Sequence, residues 1–327
     1  MPTDSTQVQQ SPSGPGDARP TARQIIKDEQ LEGRWDVKVI LITGCSSGLG
    51  VKTARALYET GATLYLTARD IVKARAALDD IASSSRVHFL HLDLSSLESV
   101  RACVNSFKAT SQELHILIEN AAVMACSEGR TTDGFETQFG TNHLGHFLLF
   151  HLLKPILLSS STPAFNSRVV IVSSVAHQYS AVDFDNINLD GEYDPWKAYG
   201  QSKTANIWTA NEIDRRYGTC GLHAWSLHPG AIVTNLQRYI PEEQKRLWAQ
   251  DANSRKHWKS PEQGAATTVW AAVSKRLEGI GGKYLEDCAI AVTDANGHGP
   301  NLAPWTYDPV REAKLWDRTL EVLQLEK

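Results

Sequence analysis

The stretch YGQSK, from Tyr199 to Lys203, places a phenol and an ammonium group four residues apart. On a helix, residues at this spacing lie on one face, so the two side chains would be neighbours. A tyrosine alone titrates near about pH 10, and a neighbouring positive charge favours the phenolate and lowers that pKa. The pair could then exchange a proton near neutral pH. Taken alone, such a pair is also typical of a solvated helix face, so its interpretation depends on what precedes it.

A glycine-rich stretch, TGCSSGLG from Thr43 to Gly50, follows the apolar run KVILITG. Its other glycines are Gly44 and Gly48, and the next segment, LGVKTARALYETG, has helical apolar spacing. A loop of small residues lets the backbone approach a diphosphate, whose charge the N–H groups of the following helix stabilise. An isolated GxxxGxG is equally compatible with an ordinary turn. Its position between the first predicted strand and helix favours a dinucleotide loop.

The elements that must position these residues alternate regularly from Lys38 to about Asp287. Parallel strands joined by helical crossovers form a doubly wound sheet, so we expect one Rossmann-type α/β domain, flanked by helices, over residues 21–327. Residues 1–20, rich in Pro, Ser, Gln and Gly, are expected to be a disordered tail. The predicted strands are KVILITG, TLYLTAR, VHFLHLDL, LHILIENAA, RVVIVSS, LHAWSLHPG and GGKYLED.

Three helices outside the simplest alternation are also predicted. Thr21 is a suitable N-cap for a short helix over ARQIIKDEQL. One long helix is expected around FGTNHLGHFLLFHLLKPIL, between the fourth and fifth strands. The tail LAPWTYDPVREAKLWDRTLEVLQL is expected to contain a C-terminal helix that packs on the outside of the domain.

The composition restricts the partners and the compartment. The chain has 327 residues and a formal net charge of −4, with interspersed charges, which gives no bulk-charge reason for a nucleic-acid or membrane-surface partner. Its five cysteines lack CxxC spacing and read as free thiols in a reducing compartment. No apolar run reaches the length of a membrane helix or forms a signal peptide. We therefore expect a cytoplasmic protein without a membrane anchor.

Further motifs follow the glycine loop in a recognisable order. They are LDL with Asp93 and Leu94, ENAA with Asn120 and Ala121, NHLGHF with Asn142, IVSSVAH with Ser174, YGQSK with Tyr199 and Lys203, and HPGAIVTNL from His228. Together with TGxxxGxG, this order resembles the short-chain dehydrogenase/reductase family over roughly residues 21–290. The short helix before the first strand, the long gap between serine and tyrosine, and the GGKYLED ending look closest to its retinol-dehydrogenase-like and WW-domain-oxidoreductase-like branch.

The resemblance implies an oxidoreductase that transfers hydride between a nicotinamide cofactor and a carbonyl or secondary alcohol. Tyr199 would donate the proton to the carbonyl oxygen, and Lys203 would also hold the nicotinamide ribose. Ser174, rather than its neighbour Ser173, would hydrogen-bond the same oxygen. Asn142 would hold a water that links Lys203 to solvent. The other cofactor contacts implied by the resemblance are Gly44, Ser46, Ser47, Gly48, Leu49, Gly50, Arg69, Asp93, Leu94, Asn120, Ala121, Pro229, Gly230, Ile232 and Thr234.

The choice of dinucleotide depends on the end of the second strand. An arginine there would pair with the 2′-phosphate of NADP, whereas a carboxylate would accept hydrogen bonds from the ribose of NAD. Arg69 comes first after the strand, and Asp70 looks like the cap of the next helix. Ser46 and Ser47 could add hydroxyl donors. We therefore expect NADP(H), with Asp70 as the alternative discriminator.

Several residues depart from the family pattern or remain ambiguous. Glu119 and Ala122 stand where the family usually has Asn and Gly, and the sequence offers no physical account of Glu119. His143, His146 and His151 have no evident carboxylate or cysteine partner, so no metal site is expected. His177 could touch substrate, although packing is the alternative.

The substrate side is expected in residues 177–197 and 235–260, with a helical flap that starts at Pro241. Their aromatic residues favour a bulky apolar or aromatic ketone or alcohol as the small-molecule partner. Packing of the flap onto the domain is the alternative reading of the same rings. These aromatic residues are Tyr179, Phe184, Tyr193, Trp196, Tyr239, Trp248 and Trp258.

The same sequence has two alternative functional interpretations. One is a catalytically silent NADP-binding protein that acts through partners, but Tyr199 and Lys203 are both present. The other is a nucleotide-sugar epimerase or dehydratase, whose usual TGxxGxxG is absent. A homo-oligomer remains open from the sequence.

Overall fold

The computed structural model describes residues 12–292 and 301–326. Its strands form one eight-stranded sheet in the order β3-β2-β1-β4-β5-β6-β7-β8. All neighbours pair in parallel except β7 and β8, which are antiparallel. The strands are β1 Val39–Thr43, β2 Thr63–Ala68, β3 Val87–His91, β4 Ile116–Glu119, β5 Ser167–Val172, β6 Leu222–His228, β7 Lys283–Glu286 and β8 Ala289–Ile290. The predicted doubly wound sheet is confirmed, and the short β8 is an addition to the predicted strands.

Helices connect the strands and cover both faces of the sheet. They are α1 Ala22–Asp28, α2 Leu49–Tyr58, α3 Ile71–Ala77, α4 Leu97–Lys108, α5 Thr137–Phe139, α6 Gly145–Ser160, α7 Pro195–Tyr217, α8 Glu242–Gln250, α9 Ala252–His257, α10 Pro261–Gly264, α11 Ala266–Val273 and α12 Pro309–Val322. Short 3₁₀ turns lie at Val175–Tyr179, Gly218–Cys220, Asn235–Tyr239 and Lys275–Leu277. Within the described ranges, no helix is long and apolar enough to cross a membrane.

Two hydrophobic cores lie on opposite faces of the sheet. Successive residues of a strand point to opposite faces, so Leu41 enters one core while Ile40 and Ile42 enter the other. The core around Leu41 is shared by α4, α6, α7 and α12. The opposite core is shared by α1, α2 and α11. Both faces of the central strands are therefore buried, as their continuous apolar runs predict.

The long helix after the fourth strand is less regular than predicted. A π-helical segment, Gly140–Leu144, lies between α5 and α6 and contains Asn142. At its end, Gly145 packs on the backbone of Leu94, where an added Cβ would clash with the carbonyl oxygen. The altered winding is typical of functional positions, and here it brings the end of β3 against the helix that carries Asn142.

The N-terminal segment differs from the predicted disorder. Residues 1–11 lie outside the described residues, but residues 12–20, which we call the N-terminal strap, pack against the domain near residues 256–263. Arg19 is only 5% exposed there, because backbone carbonyls and Asp17 surround its guanidinium. The polar composition predicts disorder because it offers little apolar surface to bury, whereas the strap is held mainly by hydrogen bonds. The predicted helix that follows is confirmed, and Thr21 caps it.

Candidate active site

The glycine loop joins β1 to α2 with the close approaches that a dinucleotide needs. Gly44 has a φ of +77°, and an added Cβ would lie 2.9 Å from Cα of Ala121. An added Cβ on Gly50 would clash with the carbonyl oxygen of Gly44. Gly48, at a φ of +64°, is the N-cap of α2 and contributes no side-chain oxygen to its N–H groups. The start of α2 therefore presents backbone donors and a positive dipole end to the cavity.

A hydrogen-bond chain runs beneath this loop from β1 to Asn142. Oγ1 of Thr43 accepts from the N–H groups of Asn120 and Ala121, both at 2.9 Å. Its own proton remains to be donated to Nε2 of His146, 2.9 Å away. Nδ1 of His146 then carries the imidazole proton and donates it to the carbonyl oxygen of Asn142 at 3.0 Å. Burial, with the nearby Lys203 charge as a smaller cause, lowers the pKa of His146 to about 4. This histidine is therefore neutral and has a defined tautomer.

Asn142 is fully buried in the π-helical segment. Its Nδ2 donates to the carbonyl of Val123 at 2.9 Å and to Oγ of Ser202 at 3.0 Å, and its Oδ1 accepts from the N–H of Val123 at 2.9 Å. Ser202 belongs to α7, the helix that carries Tyr199. Asn142 therefore ties the loop after β4 to the helix of the YxxxK pair, whereas its side chain does not line the cavity.

Tyr199 and Lys203 lie one turn apart on α7, and 4% and 1% of their surfaces are exposed. Nζ of Lys203 lies 5.5 Å from the centroid of the Tyr199 ring and donates to the carbonyl of Val172 at 2.9 Å. Burial lowers the pKa of Lys203 to about 7. Burial also raises the pKa of Tyr199 well above its ordinary value, and the side-chain hydrogen bond with Ser174 only partly opposes this. Among the protein's own groups, the cost of burying a phenolate is therefore larger than the lowering of the tyrosine pKa expected from the lysine.

The structure distinguishes the two candidate serines. Oγ of Ser173 donates to the backbone carbonyl of Lys203 at 2.8 Å, which attaches β5 to α7. Ser174 caps the 3₁₀ turn Val175–Tyr179 by accepting from the N–H of Ala176 at 3.1 Å, and its side chain also contacts the phenol of Tyr199. The second serine therefore has its hydroxyl beside the tyrosine, where the resemblance places it.

A single cavity of about 890 Å³ brings most of the expected site residues together. It lies at the carboxyl ends of the parallel strands, where open α/β sheets bind their ligands. Gly50 and Asn142 are the expected residues that do not line it, because both support the wall from behind. Those that line it are Gly44, Ser46, Ser47, Gly48, Leu49, Arg69, Asp93, Leu94, Asn120, Ala121, Ser174, Tyr199, Lys203, Pro229, Gly230, Ile232 and Thr234.

The end of β2 separates the roles of Arg69 and Asp70. Oδ1 of Asp70 accepts from the N–H of Lys73 at 2.9 Å and caps α3, as predicted. Arg69 is exposed at the cavity and has no hydrogen bond or ion pair with any residue in 12–292 or 301–326. The guanidinium is thus the group at this position whose donors are available to a ligand.

The other half of the cavity is lined by apolar and aromatic side chains. Trp196 lies at its centre, with ring centroids 5.9 Å from Tyr179, 6.1 Å from Trp248 and 6.3 Å from Tyr199. Ile240 and Met124 are buried in the same cluster. Tyr239 and Trp258 complete the expected aromatic lining.

Two of the expected aromatic residues lie elsewhere. Phe184 stacks on Trp208, with ring centroids 6.2 Å apart, within the core beneath α7. The Tyr193 hydroxyl donates to the carbonyl of Cys126 at 2.7 Å and contacts Gln138 instead of the cavity. Both rings attach the segment between Ser174 and Tyr199 to neighbouring parts of the domain.

Two of the remaining histidines have packing roles, and two line the cavity. His143, in the π-helical segment, contacts Thr319 at 3.0 Å and links that segment to α12. His177 is fully buried and contacts the carbonyl of Ser174 at 2.7 Å, so a substrate contact is not favoured. His228, at the end of β6, and His257 line the cavity. Among the described residues, no group of three His, Cys, Asp or Glu side chains could hold a metal.

Glu119 is buried at the end of β4 with 2% of its surface exposed. Its Oε1 has no hydrogen-bond partner among the described residues. Burial raises the pKa of this carboxyl well above its ordinary value. A buried carboxyl whose protonated form is favoured thus occupies the position where the family usually has an amide.

Comparison with known proteins places these features in one family. A sequence profile described as short chain dehydrogenase matches residues 38–245. The chain is 51% identical over 322 residues to "Short-chain dehydrogenase/reductase prx1" of Penicillium rubens, which covers 98% of this chain and 95% of that protein. It is 37% identical to "Retinol dehydrogenase 12" of Mus musculus, over 88% of this chain and 87% of that protein.

Solved structures agree with this placement. A Mycobacterium paratuberculosis protein is 32% identical and superposes with a TM-score of 0.66, over 89% of this chain and 94% of that one. The fold is also shared with the "Pseudomonas aeruginosa RhlG/NADP active-site complex", at 23% identity and a TM-score of 0.63, over 78% and 96% of the two chains. The chain belongs to the short-chain dehydrogenase/reductase family of oxidoreductases, in its retinol-dehydrogenase-like branch.

Proposed function

We propose that this protein is an NADP(H)-dependent carbonyl reductase or alcohol dehydrogenase for bulky apolar or aromatic substrates. One observation carries the proposal. Tyr199 lies between the glycine-loop half and the aromatic half of one cavity, with Ser174 and Lys203 beside it. A proton donor at this boundary faces the position where a carbonyl held among the aromatic rings would meet a bound dinucleotide.

The residues present fit a dinucleotide. Gly44 and Gly50 leave room that a Cβ would fill, and the N-terminus of α2 supplies donors for a diphosphate. Asn120, whose Nδ2 donates to the carbonyl of Thr43 at 2.8 Å, holds the loop after β4 against β1. Lys203 would hold the ribose hydroxyls. When bound, the nicotinamide supplies or accepts the hydride.

The protein's own groups would handle the proton. Burial keeps Tyr199 protonated near neutral pH, so in the reductive direction the phenol can donate its proton to the carbonyl oxygen. Ser174 would donate a hydrogen bond to the same oxygen and stabilise its developing charge. Lys203, with a pKa of about 7, can carry the positive charge that stabilises the resulting phenolate. The Asn142 segment would then return a proton through a water held near Lys203.

NADP is favoured over NAD by the end of β2. Arg69 presents free donors to the cavity, whereas Asp70 uses its carboxylate to cap α3. An arginine pairs with a phosphate through two parallel charge-assisted hydrogen bonds, which a 2′-hydroxyl cannot match. Asp70 would have to leave its helix cap before it could select NAD.

The aromatic half supports a bulky apolar or aromatic substrate. Trp196 and Trp248 contact each other edge to face and leave a broad apolar wall beside Tyr199. Such walls bind large apolar surfaces, whereas small polar ketones would bury little area there. The free, largely buried cysteines support a reducing compartment such as the cytoplasm.

NADPH oxidation with a panel of ketones tests the proposal. The wild-type protein should oxidise NADPH with aromatic or polycyclic ketones, and Tyr199→Phe should lose turnover by more than about 100-fold, in line with the usual contribution of a general acid. NADPH binding should stay nearly intact in the variant, because only the hydroxyl is removed. A wild-type protein that binds NADPH but reduces no ketone or quinone would instead favour the catalytically silent alternative.

A further inference from the structure

The N-terminal strap holds a buried arginine at the edge of the substrate side. The guanidinium of Arg19 donates to the carbonyls of Gly14 at 3.1 Å, His257 at 3.0 Å and Trp258 at 2.5 Å, with that of Lys256 at 3.5 Å. It also forms an ion pair with Asp17 at 2.8 Å. A charge buried to this degree is stable only when its donors are satisfied, so the strap and its binding site form one polar unit.

The carbonyls that Arg19 binds are those at the end of α9. The last carbonyls of a helix have no partner within the helix and carry partial negative charge, which a cation stabilises. The planar guanidinium can bind several such oxygens at once, whereas a lysine would supply a single ammonium. Arg19 thus closes the C-terminal end of the flap, which we define as residues 235–258.

The flap buries few of its own residues. Neither α8 nor α9 contains a buried residue, and Ile240 is the flap residue buried in the aromatic cluster. A segment with so little buried apolar surface opens easily unless its ends are held. Its N-terminal end is held at Thr234, which caps the turn Asn235–Tyr239. Its C-terminal end depends on what binds residues 256–258.

Gln263 attaches the strap to the chain just after the flap. Its Oε1 accepts from the N–H of Gly16 at 2.9 Å and from the N–H of Ser260 at 3.0 Å. Its Nε2 donates to the carbonyls of Asp17 at 3.0 Å and Arg19 at 3.1 Å. The strap therefore binds on both sides of Lys259, whose N–H donates to the carbonyl of Ala231 in the loop after β6 at 2.9 Å.

We propose that Arg19 is a positioning residue for substrate binding, because it fixes the end of the flap that carries Trp258. Arg19 itself does not line the cavity, but Trp258 and His257 do. Loss of the arginine should free the C-terminal end of α9 and let the Trp258 wall move, while the glycine loop on the other side stays in place. The effect on substrate rests on the proposed function; the effect on the flap does not.

Arg19→Ala tests this, with Arg23→Ala as the matched control. Arg23 lies four residues away but pairs with Glu59 at the surface and does not contact the flap. We expect amide exchange in residues 242–259 to become at least about 10-fold faster in Arg19→Ala and to stay unchanged in the control. KM for a ketone substrate should rise about 10-fold, with kcat and NADPH affinity changed less than about 3-fold, since the lost contact acts on substrate binding alone.

The outcomes separate the strap from the proposed activity. Unchanged exchange in residues 242–259 of Arg19→Ala would overturn the inference, as would a uniform increase that includes β1 and β4. If Arg19→Ala does not fold, Arg19→Lys is the second variant, because it retains the positive charge but not the planar set of guanidinium donors. Amide exchange in the flap of Arg19→Lys that is as slow as in wild type would overturn the inference equally. A loosened flap in a protein that reduces no ketone would contradict the proposed function and leave the positioning role of Arg19 intact.

Discussion

The hydroxyl of Thr43 donates to Nε2 of His146 because its two acceptor positions are already filled by the N–H groups of Asn120 and Ala121. This contact fixes the imidazole proton on Nδ1, where it binds the carbonyl of Asn142. The loop that would contact the cofactor and the helix that holds Asn142 are thus joined through one neutral side chain.

The tautomer of His146 can be measured directly. Nitrogen NMR should show a protonated Nδ1 and an unprotonated Nε2, with no titration between pH 8 and 5, because the pKa is lowered to about 4. His146→Leu leaves the Thr43 hydroxyl unsatisfied at a cost of about 1–3 kcal/mol and should lower kcat about 10-fold. His151→Leu, on the same helix, is the control and should keep kcat. A protonated Nε2 would contradict the proposed direction of the hydrogen bonds from Thr43 to His146 and from His146 to Asn142.

Lys203→Ala should weaken NADPH binding and also lower kcat, because the ammonium has two proposed roles. Nζ of Lys203 lies 5.5 Å from the centroid of the Tyr199 ring and would hold the ribose as well. The loss of NADPH affinity and the loss of kcat should therefore each be at least about 10-fold. Fluorescence titration gives the affinity and single-turnover kinetics gives the chemical step. Lys197→Ala, on the same helix but only partly buried, is the control. A loss confined to kcat would argue against the ribose contact.

Arg69→Ala should weaken NADPH far more than NADH. A charge-assisted contact with the 2′-phosphate contributes about 1.5–3 kcal/mol, so a change of about 10- to 150-fold in the Kd ratio is expected. Arg75→Ala is the matched control, since Arg75 lies on the neighbouring helix α3 and stacks over Phe89 of β3. If both cofactors weaken equally in Arg69→Ala, the discriminating group lies elsewhere.

Trp196→Ala should change substrate preference more than chemistry. The ring joins Tyr179, Trp248 and Tyr199 into one wall, so its loss should lower kcat/KM for a polycyclic ketone by at least about 10-fold. A small aliphatic ketone should be affected much less. Phe184→Ala is the contrasting variant, because that ring packs in the core and should lower thermal stability without changing the ratio between the two ketones. Equal losses for both ketones in Trp196→Ala would remove the wall from the specificity argument.

Glu119→Gln should stabilise the protein at high pH. Burial raises the folded pKa above the unfolded value, so the folded state holds a proton that the unfolded state releases as pH rises. The stability contributed by the protonated form is present below about pH 4.5 and is lost as pH rises towards the folded pKa. The glutamine variant should therefore match wild type near pH 4 and exceed it increasingly above that, by at most about 1.4 kcal/mol per pH unit.

Chemical denaturation at pH 4, 6 and 8 measures this difference. Glu128→Gln, an exposed carboxylate, should show no comparable pH-dependent gain. A constant difference between Glu119→Gln and wild type across this range would mean that the buried carboxyl is already ionised or paired.

The local patterns of the sequence predicted much of this architecture. The glycine loop and YxxxK act over a few residues, so their spacing alone predicts Gly44 just after a strand and Tyr199 and Lys203 on one face of a helix. The Thr43–His146 bond joins residues 103 positions apart, and no spacing rule reveals it. Phe184 and Tyr193 are expected at the cavity but lie elsewhere, because aromatic content does not reveal which residues a ring will contact.

The strap was missed for a related reason. Its composition contains little apolar surface, and sequence reasoning judges order mainly by such surface. Arg19 is ordered by carbonyls more than two hundred residues away, which only the folded chain brings together. The sequence also shows the lysine beside Tyr199 but not the depth at which both groups are buried, and burial shifts the pKa values of both.

The long separation between the strap and its partner also sets an order of assembly. Gly16 and Gln263 are 247 residues apart, so the contact must wait until nearly the whole domain has been synthesised. Contacts of such high sequence separation carry a large loop-closure cost and form after the local βα units. We therefore expect the nucleotide half to mature first on the ribosome, and the substrate half to acquire its final shape only when the N-terminal strap binds and closes it.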